Sequence, residues 1–438
     1  MLKLRYKNEF SMAILLLNKL KNNPENHDVL RDLHKLIIRG VTRQERLISL
    51  AKKGCKRLSF YKRNKKPNRD KSNKIKELIE NLSERITQRK RIIFLYKCFG
   101  DGIAHIYQSM YALKHLYYDK NYSVKEDAGY ISGKSGFIQE WKVFLICLKN
   151  SVPAVMSDIT NTIRNGDVCL LGGEDPFPIE VKLTKHANPR VRVRRQIDDI
   201  NEINEFFRND YAPMFRGVAN TYRVPLVYDH VNYIDDVNHL AMMCKKQTYA
   251  YKEVEKGLFY SCMNTNASEH EWESLMDSLT KRLNLPSTLT LIMFANEEWD
   301  LAYPFTLSLS PKNLIRYIYG EFVIFIMVDL EHMRDEFSIN NLHATFLMDG
   351  NSAIQFCKDP NDLFKGVFRI SQLAVLRHFI SFLSLDSFVK EQCRALDEKF
   401  LQPKKITKDE YNSMAESGQI VPEDIVKEWS NVKDCLRD

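Results

Sequence analysis

Residues 165–182 read NGDVCLLGGEDPFPIEVK, and the way this stretch folds decides how the rest of the chain is understood. Asn165-Gly166 is a two-residue hairpin signal, because both central positions of a type I′ turn need positive φ, which Asn and Gly tolerate. Asp167 then begins a strand, and a second reversal through Gly172, Gly173, Glu174, Asp175 and Pro176 returns the chain as the next strand. Centring that turn on Gly173 and Glu174 sets Asp167 opposite Glu180. Opposed side chains in an antiparallel pair have Cβ atoms about 5 Å apart, close enough to share one divalent cation. Without a cation the two carboxylates would repel.

Side-chain alternation sends Lys182 to the face of Glu180, and Val168, Leu170, Ile179, Val181 and Leu183 to the opposite, apolar face. One face is then core and the other holds chemistry. Upstream, a helix over 135–149 carries the stripe Phe137, Trp141, Phe144, Leu145 and Leu148, and Glu140 borders it. Downstream, in a helix over 194–210, Gln196 heads the line Ile200, Ile203 and Phe207. A strand over 153–163 precedes the first turn, and a further strand is expected over 224–229. Asp158 would pair near Gly173, about 20 Å along the strand from Asp167 at 3.3 Å per residue, so it is left out of the site.

Together the Glu140 helix, Asp167 after a turn, Glu180-Val181-Lys182 in a strand and Gln196 early in the next helix resemble the PD-(D/E)XK, or restriction-endonuclease-like, nuclease superfamily. The resemblance covers about 100 of the 438 residues, and Gly166 stands where the motif usually has Pro. It implies an α/β fold with an αβββαβ core, flanked by a helical N-terminal region and an α+β C-terminal region. It further implies that Asp167, Glu180 and the Val181 carbonyl bind Mg²⁺ or Mn²⁺. Glu140 would add a ligand or orient a water, Lys182 would position or deprotonate the attacking water, and Gln196 would orient Lys182, the water or a phosphate. A hard cation wants oxygen ligands and lowers the pKa of water it binds, so the chemistry of the residues agrees. Lys185, His186, Arg190, Arg192, Arg194 and Arg195, with Arg164 at the opposite turn, suit a phosphodiester backbone.

The expected function is a metal-dependent nuclease cutting DNA, with a role in bacterial defence or restriction following only by analogy with the superfamily. Two alternatives stand beside it: a ribonuclease using the same site, and a catalytically silent nucleic-acid-binding or assembly protein on a nuclease-like scaffold. Opposed carboxylates argue against the scaffold, which gains nothing from them.

The charge distribution also points to a polyanion. Residues 1–100 hold 27 Lys and Arg against 9 Asp and Glu, whereas the remainder holds 38 against 47. Lys and Arg that neutralise phosphates release condensed counterions, which makes such a segregated surplus effective in binding nucleic acid. Nine basic residues lie between Lys52 and Arg69, interrupted by Phe60, Tyr61 and Pro67, and are expected to form a phosphate-binding loop or arm. Ile75, Ile79, Leu82, Ile86 and Ile93 keep a heptad-like step that predicts a long helix packed along a partner helix. Gly100-Asp101-Gly102 breaks that pattern, and His105 and His115 beyond it are expected as packing residues.

Four segments result: 1–125, a basic helical clamp or docking region for a partner or second copy; 126–230, the nuclease-like core; 231–400, an α+β accessory region; 401–438, a polar tail. The nine cysteines form no Cys-x-x-Cys pair, so reduced thiols in a cytoplasm are expected. The apolar run at 12–17 is followed by Lys19 and Lys21 rather than a cleavage site, and 322–328 is far short of the roughly 20 residues of a membrane span. No membrane association is expected.

Overall fold

The computed structural model describes residues 6–121, 123–125, 129–181, 191–223, 231–281, 287–293, 303–363, 367–397 and 408–416. Two compact units divide the chain: Met1–Thr221 with Ala295–Ile318, and Tyr222–Phe294 with Tyr319–Asp438. Helices and small antiparallel sheets are mixed in both, which places the protein in the general α/β class. Among the described residues no helix is long and apolar enough to cross a membrane.

The first unit starts with α1 (Lys7–Asn22), α2 (His27–Lys65) and α3 (Arg69–Tyr107). Asn26 caps α2 by accepting from the Val29 amide, and Leu30, Leu33, Ile37, Val41 and Ile48 line its buried face at helical spacing. Lys66 takes a positive φ, Pro67 cannot continue the helix, and Asn68 caps α3 through the Lys71 amide. The two long helices therefore pack as a hairpin. Phe94, Leu95, Tyr96, Phe99 and Ile103 of α3 close the core with Phe10, Leu17 and Leu20 of α1.

Two expectations change here. The Lys52–Arg69 stretch is not a loop, since it comprises the last turns of α2, the tight connection and the start of α3. Nor does Gly100-Asp101-Gly102 end a helix, because α3 runs through it to Tyr107. The glycines serve close approach instead: a Cβ on Gly100 would lie 2.0 Å from the Ile159 carbonyl oxygen, and one on Gly102 would lie 2.9 Å from the Leu17 and Thr306 side chains.

His105 and His115 do pack in the core. His105 meets the edge of Tyr303, and His115 is ringed by Phe206, Phe207 and Phe215. A third histidine, His34, is fully buried, stacks on Phe144 at 4.2 Å and makes a 2.8 Å hydrogen bond from Nδ1 to the Leu30 carbonyl. Burial pulls its pKa down to about 4 from 6.5, with the Leu30 hydrogen bond opposing. A folded-state pKa below the unfolded one contributes stability above pH 6.5 that is lost as pH falls through 4. We expect urea denaturation midpoints to drop between pH 6.5 and 4, with His34 accounting for on the order of 3 kcal/mol. His34→Gln should flatten that slope, and an unchanged slope would show that His34 does not set it.

Beyond α3 come α4 (Met110–Leu113), α5 (Phe137–Lys149) and the strands β1 (Ala154–Met156), β2 (Val168–Leu170) and β3 (Phe177–Ile179). They form an antiparallel sheet in the order β1-β2-β3. Val168 faces Ile179 and Leu170 faces Phe177, the register expected from centring the turn on Gly173 and Glu174. The sheet does not have one apolar and one chemical face at β2, however, because Val168 and Cys169 are both fully buried. Helix α5 packs on β1 and β2, and α3 reaches β1, so neighbouring residues of the strand are covered from both sides.

Next follow α6 (Val191–Asn209), β4 (Tyr211–Phe215) and β5 (Val218–Tyr222), the last two forming a separate two-stranded hairpin. Ile200, Ile203 and Phe207 are buried on α6, as their spacing implies. The strand expected over 224–229 lies outside the described residues.

The second unit holds a four-stranded antiparallel sheet, in which Leu258–Asn264 and Phe322–Asp329 are the central strands between Tyr249–Glu255 and Thr288–Met293. One face packs Phe259, Met263, Val323, Phe325 and Met327 against Leu275 and Leu279 of the helix Glu269–Thr280. That helix opens on a capping box between Ser268 and Glu271. A three-stranded sheet of His343–Phe346, Ser352–Cys357 and Val367–Ser371 lies further along the chain.

Candidate functional site

Asp167 sits at the start of β2, where backbone bonds hold it on both sides. Its amide donates to the Ile179 carbonyl at 2.8 Å, and its carbonyl accepts from Ser157 at 3.0 Å. The side chain is thereby aimed at two partners: Oδ2 accepts from the Val181 amide at 2.9 Å, and Oδ1 accepts from Lys134 Nζ at 3.1 Å.

Lys134 gathers two further carboxylates. Its ammonium lies 2.8 Å from Asp158 Oδ2 and 3.0 Å from Glu140 Oε2. Three acids from three different elements thus converge on one cation. The Glu140, Asp158 and Asp167 side chains are 3%, 5% and 15% exposed, so the charges are largely out of water. Asp158 and Asp167 both bind the ammonium with good hydrogen-bond geometry. Glu140 Oε2 is buried and receives no well-directed hydrogen bond despite its short distance to Nζ.

Burial pushes the Glu140 carboxyl up to about 7, with Asp167 and Asp158 adding to the effect and Lys134 opposing it. A carboxyl raised above its unfolded 4.5 favours the folded state most in acid, and that contribution fades as pH rises through about 7. Burial works to depress the Lys134 ammonium, but Asp158, Asp167 and Glu140 together hold it well above its ordinary range.

Each acid has a local reason for its position. Glu140 lies in the first turn of α5, where a carboxylate suits the helix dipole, and Gly136 leaves room for it: a Cβ there would lie 2.9 Å from Glu140 Oε1. Lys134 is carried by a turn preceding α5. That turn is tied to α2 by buried Glu45, which accepts from the Ile131 and Ser132 amides at 3.1 and 2.7 Å.

Asp158 corrects the sequence reading. The strand expected over 153–163 ends at Met156, and Ser157–Ile159 forms a 3₁₀ turn. Met156 pairs with Val168, which brings Asp158 beside Asp167 rather than near Gly173. The expected type I′ hairpin does not form: of Asn165 and Gly166, only Gly166 has positive φ. Asn165 is buried instead, donating to the Leu116 carbonyl and accepting from Lys125. The wider connection is anchored by Asp101 of α3, which accepts from the Asn161 and Thr162 amides, Asn161 Nδ2 and Thr162 Oγ1 at 2.8–3.0 Å.

Other expected site residues are distributed as follows. Glu180 is half-buried and is not one of the three carboxylates on Lys134. Its charge acts on Lys125, whose pKa is lowered by burial and supported by Asp199 and Glu180. Val181 contributes its amide to Asp167, and Gln196 is half-buried on α6. Arg164 is engaged by the fold: it donates to the Asn161 and Lys125 carbonyls and lies 4.4 Å from the Tyr117 ring centre. Arg194 and Arg195 are exposed. Lys182, Lys185, His186 and Arg190, and the side chain of Arg192, lie outside the described residues.

The donor set fits a hard divalent cation in kind, being all carboxylate oxygen with one oxygen poorly satisfied. Its present spacing fits an ammonium. The 2.8–3.1 Å contacts exceed the roughly 2.0–2.6 Å of Mg²⁺ or Ca²⁺ to oxygen, and among the described residues no group of three or more His, Cys, Asp or Glu is arranged to hold a metal ion. No family model, curated protein or solved structure matches the chain.

Proposed function

We propose that the protein is a divalent-cation-dependent nuclease acting on DNA, with Glu140, Asp158 and Asp167 as its cation-binding carboxylates. The convergence of these three acids on a single ammonium carries the reading. Buried carboxylates are costly unless paired, and three acids against one lysine leave a surplus of negative charge that a divalent cation, Mg²⁺ or Mn²⁺, would balance. When bound, such a cation supplies Lewis acidity toward a phosphate oxygen and lowers the pKa of water. Asp167, braced by the Val181 amide and the strand pairing, keeps its carboxylate directed at the site. Lys182 and Gln196 keep the roles the superfamily resemblance gives them, Glu180 adds a further ligand beside the three acids, and exposed Arg194 and Arg195 face a phosphodiester backbone.

The test is cleavage of labelled duplex DNA, single-stranded DNA and RNA in Mg²⁺, Mn²⁺ or EDTA, by wild type and by Asp167→Asn, Asp158→Asn and Lys182→Ala. Metal-dependent cleavage of DNA, reduced about a hundredfold or more in each variant, is the expected result. Equal rates in all four proteins would remove the site assignment. Cleavage of RNA alone would transfer the chemistry to a ribonuclease, and binding without cleavage in any metal would favour the scaffold.

A further inference from the structure

We propose that the far end of the α2–α3 hairpin is a binding arm for single-stranded nucleic acid, holding phosphates with its cations and bases with Phe60 and Tyr61. This goes beyond the carboxylate site and does not depend on it. A helix of 39 residues is about 58 Å long at 1.5 Å per residue, and α2 and α3 each have that length. Their near halves are core. In the far half, residues 49–90, Ile75 alone is buried, and Leu58, Ile79, Leu82 and Ile86 form a half-buried seam.

The same 42 residues hold 15 Lys and Arg against four Asp and Glu, a surplus larger than the +9 of the whole chain. All of those cations are exposed except Lys62 and Arg89, which are partly covered. So much like charge along a thin two-helix rod disfavours the rod itself, and a polyanion relieves the repulsion.

Charge alone does not choose between a nucleic acid and other anions; the aromatics do. Phe60 is 62% exposed and Tyr61 38% exposed, and they stand side by side, whereas the other exposed large apolar side chains of the segment, Leu50 and Leu78, have no ring. Residues four apart share a helix face, so Lys52, Lys56 and Phe60 make one row and Lys53, Arg57, Tyr61 and Lys65 the next. Each row sets cations beside a ring. Lys56, Arg57, Phe60, Tyr61, Asn64 and Lys65 line a shallow hollow of about 500 Å³, and Lys71 Nζ lies 5.4 Å from the Tyr61 ring centre. Cations that follow a backbone, beside rings on which unpaired bases stack, are the means by which proteins hold single strands without reading sequence. A duplex keeps its base faces stacked and offers the rings nothing. An anionic membrane would call for a one-sided apolar face, whereas these cations surround both helices.

The experiment is fluorescence anisotropy in EDTA with a labelled DNA oligonucleotide, alone and hybridised, across a salt series. It compares wild type, Phe60→Ala/Tyr61→Ala and Lys56→Gln/Arg57→Gln, each checked for helix content by circular dichroism. We expect the ring variant to bind the single strand roughly tenfold or more weakly while its duplex binding hardly changes. The charge variant should lower the slope of log affinity against log salt by about 1.4, from about 0.7 per phosphate contact. EDTA removes the cation that cleavage would need, so binding is read apart from cleavage and failure of the arm is separable from failure of the nuclease reading. A ring variant that binds the single strand as wild type does, or wild type that prefers duplex, overturns the proposal. So does ring-dependent capture by phosphatidylserine vesicles without oligonucleotide binding.

Discussion

Lys134→Met is expected to destabilise the first unit by about 3 kcal/mol in metal-free buffer, and Mg²⁺ or Mn²⁺ is expected to restore much of the loss. Removing one partner of a buried ion pair typically costs about 3–5 kcal/mol, because the other charge is left uncompensated. The lower end applies, since the Lys134 side chain is 28% exposed and water can partly solvate the acids left behind. Methionine keeps most of the aliphatic stem, so the lost packing is small and the effect reports charge. Glu140, Asp158 and Asp167 would then face one another with no cation among them.

The added ion is the informative part of that experiment. Wild type already holds an ammonium where the carboxylates converge, so a divalent ion must compete with it. The variant has no such competitor, and its melting temperature should rise more steeply with Mg²⁺ than that of wild type, as binding to the folded state alone requires. Adding Asp158→Asn to Lys134→Met should recover stability without metal and blunt the response to it. A Lys134→Met protein that melts like wild type and ignores both metals would remove the cation site, and with it the main support for a nuclease.

The sequence shows Asp167, its strand and the pairing of β2 with β3, because a glycine-rich turn and apolar alternation carry that information locally. Glu140 is visible in the same way, as an acid bordering a helical stripe. Lys134 and Asp158 are not. Lys134 lies between Gly133 and Gly136 in a turn with no periodicity, and its position depends on Glu45, 89 residues earlier. Asp158 looks like part of a continuing strand, and only the Asp101 contacts with Asn161 and Thr162, about 60 residues apart in sequence, explain why the strand stops. One signal was available: a lysine set between glycines just before a helix with an acid in its first turn. Gly100 and Gly102 were misleading for the opposite reason, since glycine inside a long apolar helix marks a close approach as readily as an end.

Gly100→Ala and Asp101→Ala test whether that close approach builds the site. The Gly100 Cβ would stand 2.0 Å from the Ile159 carbonyl oxygen and 2.8 Å from its carbon, both backbone atoms that cannot swing aside. Either α3 or the Ser157–Ile159 turn must move, and the turn carries Asp158. We expect a loss of about 3 kcal/mol or more in urea denaturation, at or above the upper end of ordinary overpacking because rigid backbone is the obstacle. Asp101→Ala acts on the same contact from the other side. Burial raises the Asp101 pKa, so the carboxylate is itself expensive to bury, yet it accepts four hydrogen bonds at 2.8–3.0 Å, whereas Asn161 Nδ2 reaches the Phe94 carbonyl and Cys98 Sγ only at 3.4 and 3.6 Å. Leaving buried donors unsatisfied costs about 1–3 kcal/mol each, so a loss of about 4 kcal/mol is expected once the loop relaxes. Asp101→Asn should lie between, because its amide would confront Asn161 Nδ2 donor to donor. Both alanine variants should also lose the Mg²⁺-dependent rise in melting temperature, since Asp158 no longer reaches the other acids. If Gly100→Ala keeps the wild-type urea midpoint and metal response, the packing of the Asp158 turn on α3 is not what brings the three carboxylates together.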